Sequence, residues 1–179
     1  MAAVQTREIG EETLDLLRRL IALQSVNDLT PDSGQEIKAA NLFEDYFAEL
    51  PVRLERIEAH PGRTTLVVTI DGTDPSCEAL TLLGHTDDDE HWTHPPFEGE
   101  ISGGQIWGRG SVDMLHLTAA MAVVTRRIAQ EIAGGGARPQ ASLTFVAAAD
   151  EEARGGLGVP WIGEHCPEAF SWDASLSEM

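Results

Sequence analysis

The sequence predicts an α/β fold, a three-layer sandwich in which helices flank a mixed, largely parallel sheet. Segments with helical spacing of apolar residues alternate along the chain with short β-branched or apolar runs, as they do in α/β folds. Two of these runs, 79–85 and 141–149, are almost continuously apolar, which is typical of strands buried on both faces. The 179 residues suffice for one domain with a sizeable core.

Two helices are predicted in the first quarter of the chain. Residues 8–23 carry apolar side chains at helical spacing, and the pattern breaks at Pro31. Ser33 and Glu36 match a capping box at the start of the second helix, which Pro51 ends. The buried stripe of this helix is expected to be Ala40, Phe43, Phe47 and Leu50.

The rest of the chain alternates between predicted strands and helices. The predicted strands are 52–59, 64–70, 79–85, 141–149 and a last one in the segment DASLSE. The predicted helices are 114–133, which the glycine run 134–136 ends, and a short one at 157–165. Residues 86–112 are predicted to form a loop. Its aromatic side chains either pack the loop onto the domain or line a substrate pocket: Trp92, Phe97 and Trp107.

Composition excludes several classes of function. Twelve basic and 30 acidic residues give a formal net charge of -18, which disfavours binding to nucleic acid. No apolar run reaches the roughly 18 residues that span a bilayer, so no membrane association is expected. Acidic residues stand where a signal peptide would be apolar, which predicts a cytoplasmic protein. Two cysteines, Cys77 and Cys166, are too few for a disulfide framework.

Three groups of potential metal ligands lie at or just beyond the ends of predicted elements, where α/β proteins build their sites. His85 ends a strand, and Asp87 stands two residues later, where its carboxylate could orient a zinc-bound imidazole. Asp113 precedes the long helix, where a helix cap is the simpler interpretation. Glu151 and Glu152 follow another strand. Adjacent carboxylates repel each other, and the pair would be explained if one bound a metal and the other transferred a proton. Alone, the first group is also compatible with a solvated turn and the third with a solvated loop.

Taken together, the three groups are specific. The chain reads GHTD, then PPFEGEISGGQIWGRGSVDM, then DEE followed by glycines. In order and spacing these motifs resemble the di-zinc hydrolase family that contains aminoacylase-1, carboxypeptidase G, acetylornithine deacetylase and succinyl-diaminopimelate desuccinylase. The resemblance runs from the first helix to the end of the chain. It implies a metallopeptidase or amidohydrolase that cleaves the amide bond of a small N-acyl amino acid or peptide.

The resemblance implies a role for each matching residue. His85 would bind the first zinc and Asp87 would orient that histidine. Asp113 would bridge both zincs, and Glu152 would bind the second. Glu151 would act as general base on the bridging water.

Further expectations follow from the same resemblance. Glu178 matches the place of another carboxylate ligand on the first zinc; the alternative is an acid without a role. A cis peptide is expected between Asp113 and Met114. Cobalt or manganese could replace zinc, because the ligand set tolerates them.

The chain departs from the family pattern in two ways. The family's usual lysine after the bridging aspartate is absent, and His116 nearby is expected on the helix surface or next to the site. The family also takes a histidine for its second zinc from far downstream, beyond a lid domain that commonly forms a homodimer. Residues 1–179 are therefore expected to be the N-terminal part of the catalytic domain, without the lid, the dimer contact or the C-terminal catalytic segment. His91 or His94 is an alternative source of the missing ligand, and an inactive or single-zinc-binding fragment is the alternative function.

Overall fold

The computed structural model describes residues 2–30, 32–86, 94–152 and 156–177. Its helices are α1 (Ala2–Ala22), α2 (Ile37–Tyr46), α3 (Leu115–Ala133) and α4 (Val159–His165). Its strands are β1 (Arg53–His60), β2 (Arg63–Ile70), β3 (Leu80–His85), β4 (Glu100–Ser102), β5 (Gln105–Trp107), β6 (Leu143–Ala148) and β7 (Ala174–Leu176). Each helix and strand expected from the sequence is present, although some ends differ by several residues.

The main sheet of the described chain has the strand order β1-β2-β6-β3-β7. β2 is antiparallel to both β1 and β6, whereas β3 is parallel to both β6 and β7. Four strands therefore point one way and β2 points the other, which confirms the mixed, largely parallel sheet. The register pairs Leu80 with Leu143 and His85 with Ala148. The carboxyl ends of β3 and β6 consequently lie side by side.

Both faces of the sheet are covered, which gives the predicted three layers. Alternate residues of a strand point to opposite faces, so Leu66 and Val68 of β2 enter one core while Val67 enters the other. The first core lies under α1, α2 and α3 and includes Leu16, Leu20, Phe43, Phe47, Leu82, Ala119, Ala122 and Phe145. The second core lies under α4 and includes Ile57, Val146, Ala148, Ile162 and Phe170.

The two longest helices, α1 and α3, pack together on the first face of the sheet. Each buries an apolar stripe, as a helix covering a sheet does; it includes Leu16 and Leu20 on α1 and Ala119 and Ala122 on α3. In the described residues, we find no helix that combines the length and the apolar character needed to cross a membrane.

A short hairpin interrupts the predicted loop 86–112. β4 and β5 pair antiparallel, with Ser102 opposite Gln105. Gly103 and Gly104 form the turn with φ of 61° and 79°, a conformation that two-residue hairpin turns favour and that glycine adopts without strain. The prediction of a loop is therefore wrong over 100–107, where the chain forms this hairpin.

The predicted capping box at the start of α2 is also wrong. Glu36 itself occupies the N-cap position, and no side chain caps the helix. Ser33 Oγ instead donates to the carbonyl oxygen of Thr30 at 2.8 Å. The Glu36 side chain is fully buried and pairs with Arg63, 27 residues away. Ser33 and Glu36 do match the capping-box pattern, but the distant Arg63 guanidinium determines where the Glu36 carboxylate lies.

We expect Glu12→Gln to destabilise the protein by about 1–3 kcal/mol at pH 7, because Glu12 joins three helices through charged hydrogen bonds. On α1, its carboxylate accepts hydrogen bonds from Tyr46 at 2.6 Å, Arg126 at 3.1 Å and Arg127 at 2.8 Å. Burial raises the pKa of Glu12, but these hydrogen bonds and the Arg127 charge outweigh burial and leave the pKa below its ordinary value.

This stabilisation depends on pH in a defined direction. A carboxyl group with a depressed folded-state pKa contributes stability above its unfolded pKa, about 4.3 for glutamate, and loses it as pH falls through the folded pKa. Urea unfolding of both proteins at pH 7 and pH 3 measures the effect. The difference between wild type and variant should shrink at pH 3, and an equal difference at both values would contradict this assignment.

Candidate metal centre

His85 is the last residue of β3, and the close approach of α3 holds it in place. A Cβ atom at Gly84 would lie 2.4 Å from Thr118 Oγ1 and 3.2 Å from Thr118 Cα, so only glycine lets the helix lie so near the strand. Thr118 Oγ1 donates a hydrogen bond to the carbonyl oxygen of His85 at 2.9 Å. The His85 side chain is 2% exposed. The imidazole thus lies at the bottom of the site in a defined position.

Acidic side chains surround this imidazole. His85 Nε2 lies 3.2 Å from Asp113 Oδ1 and 3.7 Å from Glu151 Oε2. One ligand atom from each of His85, Asp113 and Glu152 lies within 4.8 Å of the other two. The side chains of Asp113 and Glu151 are 64% and 56% exposed. The site therefore has a buried histidine as its floor and carboxylates that face solvent, where a small substrate could reach them.

The donor set and its spacing fit a zinc ion. Zinc–ligand bonds of about 2.0–2.2 Å at a tetrahedral angle place two ligand atoms about 3.3–3.6 Å apart. The 3.2 Å between His85 Nε2 and Asp113 Oδ1 is close to this separation. One imidazole nitrogen with carboxylate oxygens is a usual ligand set for zinc and also suits cobalt or manganese.

Asp113 does not cap α3, the alternative raised by its place in the sequence. The N-cap of α3 is Met114, and no side chain provides a cap hydrogen bond. The Asp113 carboxylate instead faces His85. The Asp113–Met114 peptide bond is cis, as the family resemblance implies.

The three acidic residues after β6 point in different directions: Asp150 lies in the interior, and Glu151 and Glu152 lie at the site. Asp150 is 4% exposed and has a left-handed φ of 61°, which aspartate tolerates better than most residues. Glu151, the next residue, faces His85, and Glu152 contributes to the ligand group. The sequence interpretation assigned Glu151 and Glu152 to the site but overlooked Asp150 and its buried partners. A third acid directly after a buried strand was the signal that could have identified it.

Some residues named from the sequence lie outside the described residues, and one contacts the β4–β5 hairpin. Asp87, His91 and Glu178 lie outside the described residues, so their predicted roles remain predictions. The His94 ring contacts the Trp107 ring at a tilt of 34°, with ring centroids 4.0 Å apart, and His94 Nδ1 lies 3.9 Å from Glu100 Oε2. These contacts place His94 on the β4–β5 hairpin.

His116 and Trp107 lie close in the chain to Asp113. His116 lies half-buried in the first turn of α3. Trp107 lines a small cleft with Gln105, Ile106, Ser111 and Val112. Val112 directly precedes Asp113 in the chain.

Comparisons with known proteins agree with these observations. The model of the family described as Peptidase family M20/M25/M40 matches residues 82–178. Aminoacylase-1 of Sus scrofa is 31% identical over 162 residues, which are 88% of this chain and 38% of that protein. Human carnosine dipeptidase 1 superposes on 94% of this chain and 39% of its own, with a TM-score of 0.69 and 17% identity. The M20 family metallo-carboxypeptidase Sso-CP2 from Sulfolobus solfataricus gives a TM-score of 0.65 at 16% identity, covering 89% of this chain and 36% of its own.

The chain spans less than two fifths of the length of these relatives. The two structural similarities confirm the fold, a mixed sheet flanked by helices. The matched residues 82–178 include His85, Asp113, Glu151 and Glu152 and contain more than half of the chain. The protein therefore belongs to peptidase family M20/M25/M40.

Proposed function

We propose that the protein is a metal-dependent hydrolase that cleaves the amide bond of a small N-acyl amino acid or peptide. The observation that carries this proposal is the position of Glu151. Its carboxylate is solvent-exposed and lies 3.7 Å from the buried His85 imidazole, next to the ligand atoms of Asp113 and Glu152. A general base beside a metal-ligand cluster is the arrangement that hydrolysis by activated water requires.

Two zinc ions are the proposed cofactor, and each has assigned ligands. His85 and Glu178 would hold the first ion, Glu152 the second, and the two oxygens of Asp113 would reach both. Asp87 would hold the second ring nitrogen of His85 and so fix the orientation of the imidazole. The bound metal would polarise the scissile carbonyl and acidify the attacking water.

The proton transfers are assigned to Glu151. Its carboxylate takes a proton from water as the water oxygen attacks the carbonyl carbon. The same carboxyl group then returns the proton to the amine nitrogen as the C–N bond breaks. Exposure suits this role, because the carboxylate must reach both the water and the leaving group.

The substrate class rests on relatives. Aminoacylase-1 and carnosine dipeptidase 1 are named for acylated amino acids and for a dipeptide. Both substrate types contain a small amide or peptide bond, so we assign this chemistry to the present protein.

A hydrolysis assay with controlled metal content tests the proposal. Purified protein is stripped with a chelator, reloaded with zinc, cobalt or manganese, and assayed on N-acyl amino acids and dipeptides. We expect activity to disappear on stripping and to return on reloading. Activity that survives complete metal removal would contradict the mechanism. One bound metal per chain without turnover would favour the alternative, a single-zinc-binding or inactive fragment.

A further inference from the structure

A buried cluster of charged and polar side chains lies directly behind the metal centre. Arg63, at the start of β2, places its Nη1 atom 2.8 Å from Glu36 Oε1 and 3.5 Å from Asp150 Oδ1. Its Nη2 atom donates to Asn27 Oδ1 at 3.1 Å. The side chains of Arg63, Glu36 and Asp150 are only 2%, 0% and 6% exposed. We call these four residues the Arg63 network.

Stability alone does not explain the Arg63 network. Removing charges from water carries a large desolvation cost, and buried ion pairs can often be replaced by apolar residues without loss of stability. What such a network does provide is geometry, since the planar guanidinium imposes fixed directions on its partners. The four residues come from distant parts of the chain, and three of them lie outside the strand-end acidic run. The network therefore ties that run to the α1–α2 connection and to β2.

The Arg63 network contacts the acidic run, residues 150–152, at Asp150. Asp150 Oδ1 accepts a hydrogen bond from Asn27 Nδ2 at 3.0 Å, and Oδ2 accepts one from the Leu157 backbone N–H at 2.8 Å. The backbone N–H of Asp150 itself donates to Glu36 Oε1 at 3.1 Å. Both the side chain and the backbone of Asp150 are thus fixed inside the protein, in a left-handed conformation.

We propose that Arg63 is a positioning residue that, through Glu36 and Asp150, sets the directions of Glu151 and Glu152 at the metal centre. The inference rests on the proposed function, in which Glu151 acts as the general base and Glu152 as a metal ligand, so that the two carboxylates must occupy different positions. Because Asp150 is anchored in the interior, the next two residues emerge toward His85 and Asp113. Misplacing a reacting group by about 1 Å can lower turnover on the order of a hundredfold.

The experiment compares Arg63→Lys and Asn27→Ala with a matched control. Lysine keeps the positive charge but cannot bond Glu36, Asp150 and Asn27 in the directions of a guanidinium. Asn27→Ala removes the hydrogen bonds of Asn27 with both Asp150 and Arg63 without changing any charge. It decides the matter if Arg63→Lys does not fold. The control is Arg56→Lys on β1, whose guanidinium pairs with Glu44 at the surface, away from the metal centre.

Three readouts separate positioning from general destabilisation. We expect each folded variant to lose about 10–100-fold in kcat, with a smaller change in KM, and to bind Co²⁺ about 10–100-fold more weakly with an altered visible spectrum. The backbone amides of Asp150 and Leu157 should exchange with solvent at least tenfold faster, which requires no metal. Arg56→Lys should match wild type in every readout.

The outcomes distinguish failure of this inference from failure of the proposed function. Folded variants with wild-type kcat, Co²⁺ spectrum and amide exchange would overturn the positioning role. A wild-type protein that neither binds Co²⁺ nor hydrolyses amides would overturn the proposed function. In that case, faster exchange of the two amides in the variants would still support the structural control of the acidic run by Arg63.

Discussion

Replacing Glu151 by glutamine is expected to lower kcat by about 10²–10⁴-fold, the usual contribution of a general base, while leaving the metal content unchanged. Glutamine keeps the shape of the side chain but cannot accept the proton of the attacking water. The metal should remain, because the ligand group is formed by His85, Asp113 and Glu152. Steady-state kinetics and elemental analysis of the same samples measure both effects.

The control for this variant is Glu164→Gln, an identical change at an exposed position on α4. It should retain wild-type kcat. If Glu151→Gln hydrolyses substrate at the wild-type rate with metal bound, Glu151 is not the base. If its activity and its metal are lost together, Glu151 is a ligand, and the assignment of the two adjacent glutamates is reversed.

The second large effect is expected from His85→Ala. Loss of a residue that hydrogen-bonds to a metal ligand typically weakens metal binding about 10–100-fold, and loss of the ligand His85 itself should weaken zinc binding by more. His85 is the buried floor of the site, and its Nε2 atom is the only nitrogen in the described ligand group. A ligand that binds only the folded state, at 100 times its Kd, adds about 2.7 kcal/mol of stability. Zinc should therefore raise the Tm of wild type clearly and that of the variant little.

His165→Ala provides the comparison for His85→Ala. His165 is exposed at the end of α4 and stacks on Trp161 with ring centroids 4.3 Å apart. This variant should show the wild-type response to zinc. An equal zinc-induced rise in Tm for His85→Ala and wild type would contradict a ligand role for His85.

Much of the fold could be predicted because its signals are local. The apolar runs around Leu82 and Phe145 identify buried strands, and helical spacing identifies α1 and α3. Since β3 and β6 are parallel neighbours, the residues that follow them must meet. That rule, together with the observed pairing of β3 with β6, brings His85 close to Glu151. The position of Asp113 beside them required the family resemblance, because nothing local distinguishes it from a helix cap.

The parts that were missed depend on long-range contacts or on weak signals. Glu36 lies in a good capping pattern, yet its partner Arg63 stands 27 residues later and brings the carboxylate into the interior. Asp150 and Glu151 are neighbours of similar chemistry, and only the tertiary hydrogen bonds turn the first inward and leave the second exposed. The β4–β5 hairpin was different, because the pair Gly103–Gly104 between alternating residues was a usable turn signal.

Locating zinc in crystals by anomalous scattering at its absorption edge tests the central claim most directly. We predict an anomalous peak within bonding distance of His85 Nε2 and a carboxylate oxygen of Asp113, with a second peak toward Glu152 if both proposed ions bind. Peaks only elsewhere, or none at this cluster in crystals grown with saturating zinc, would contradict the account.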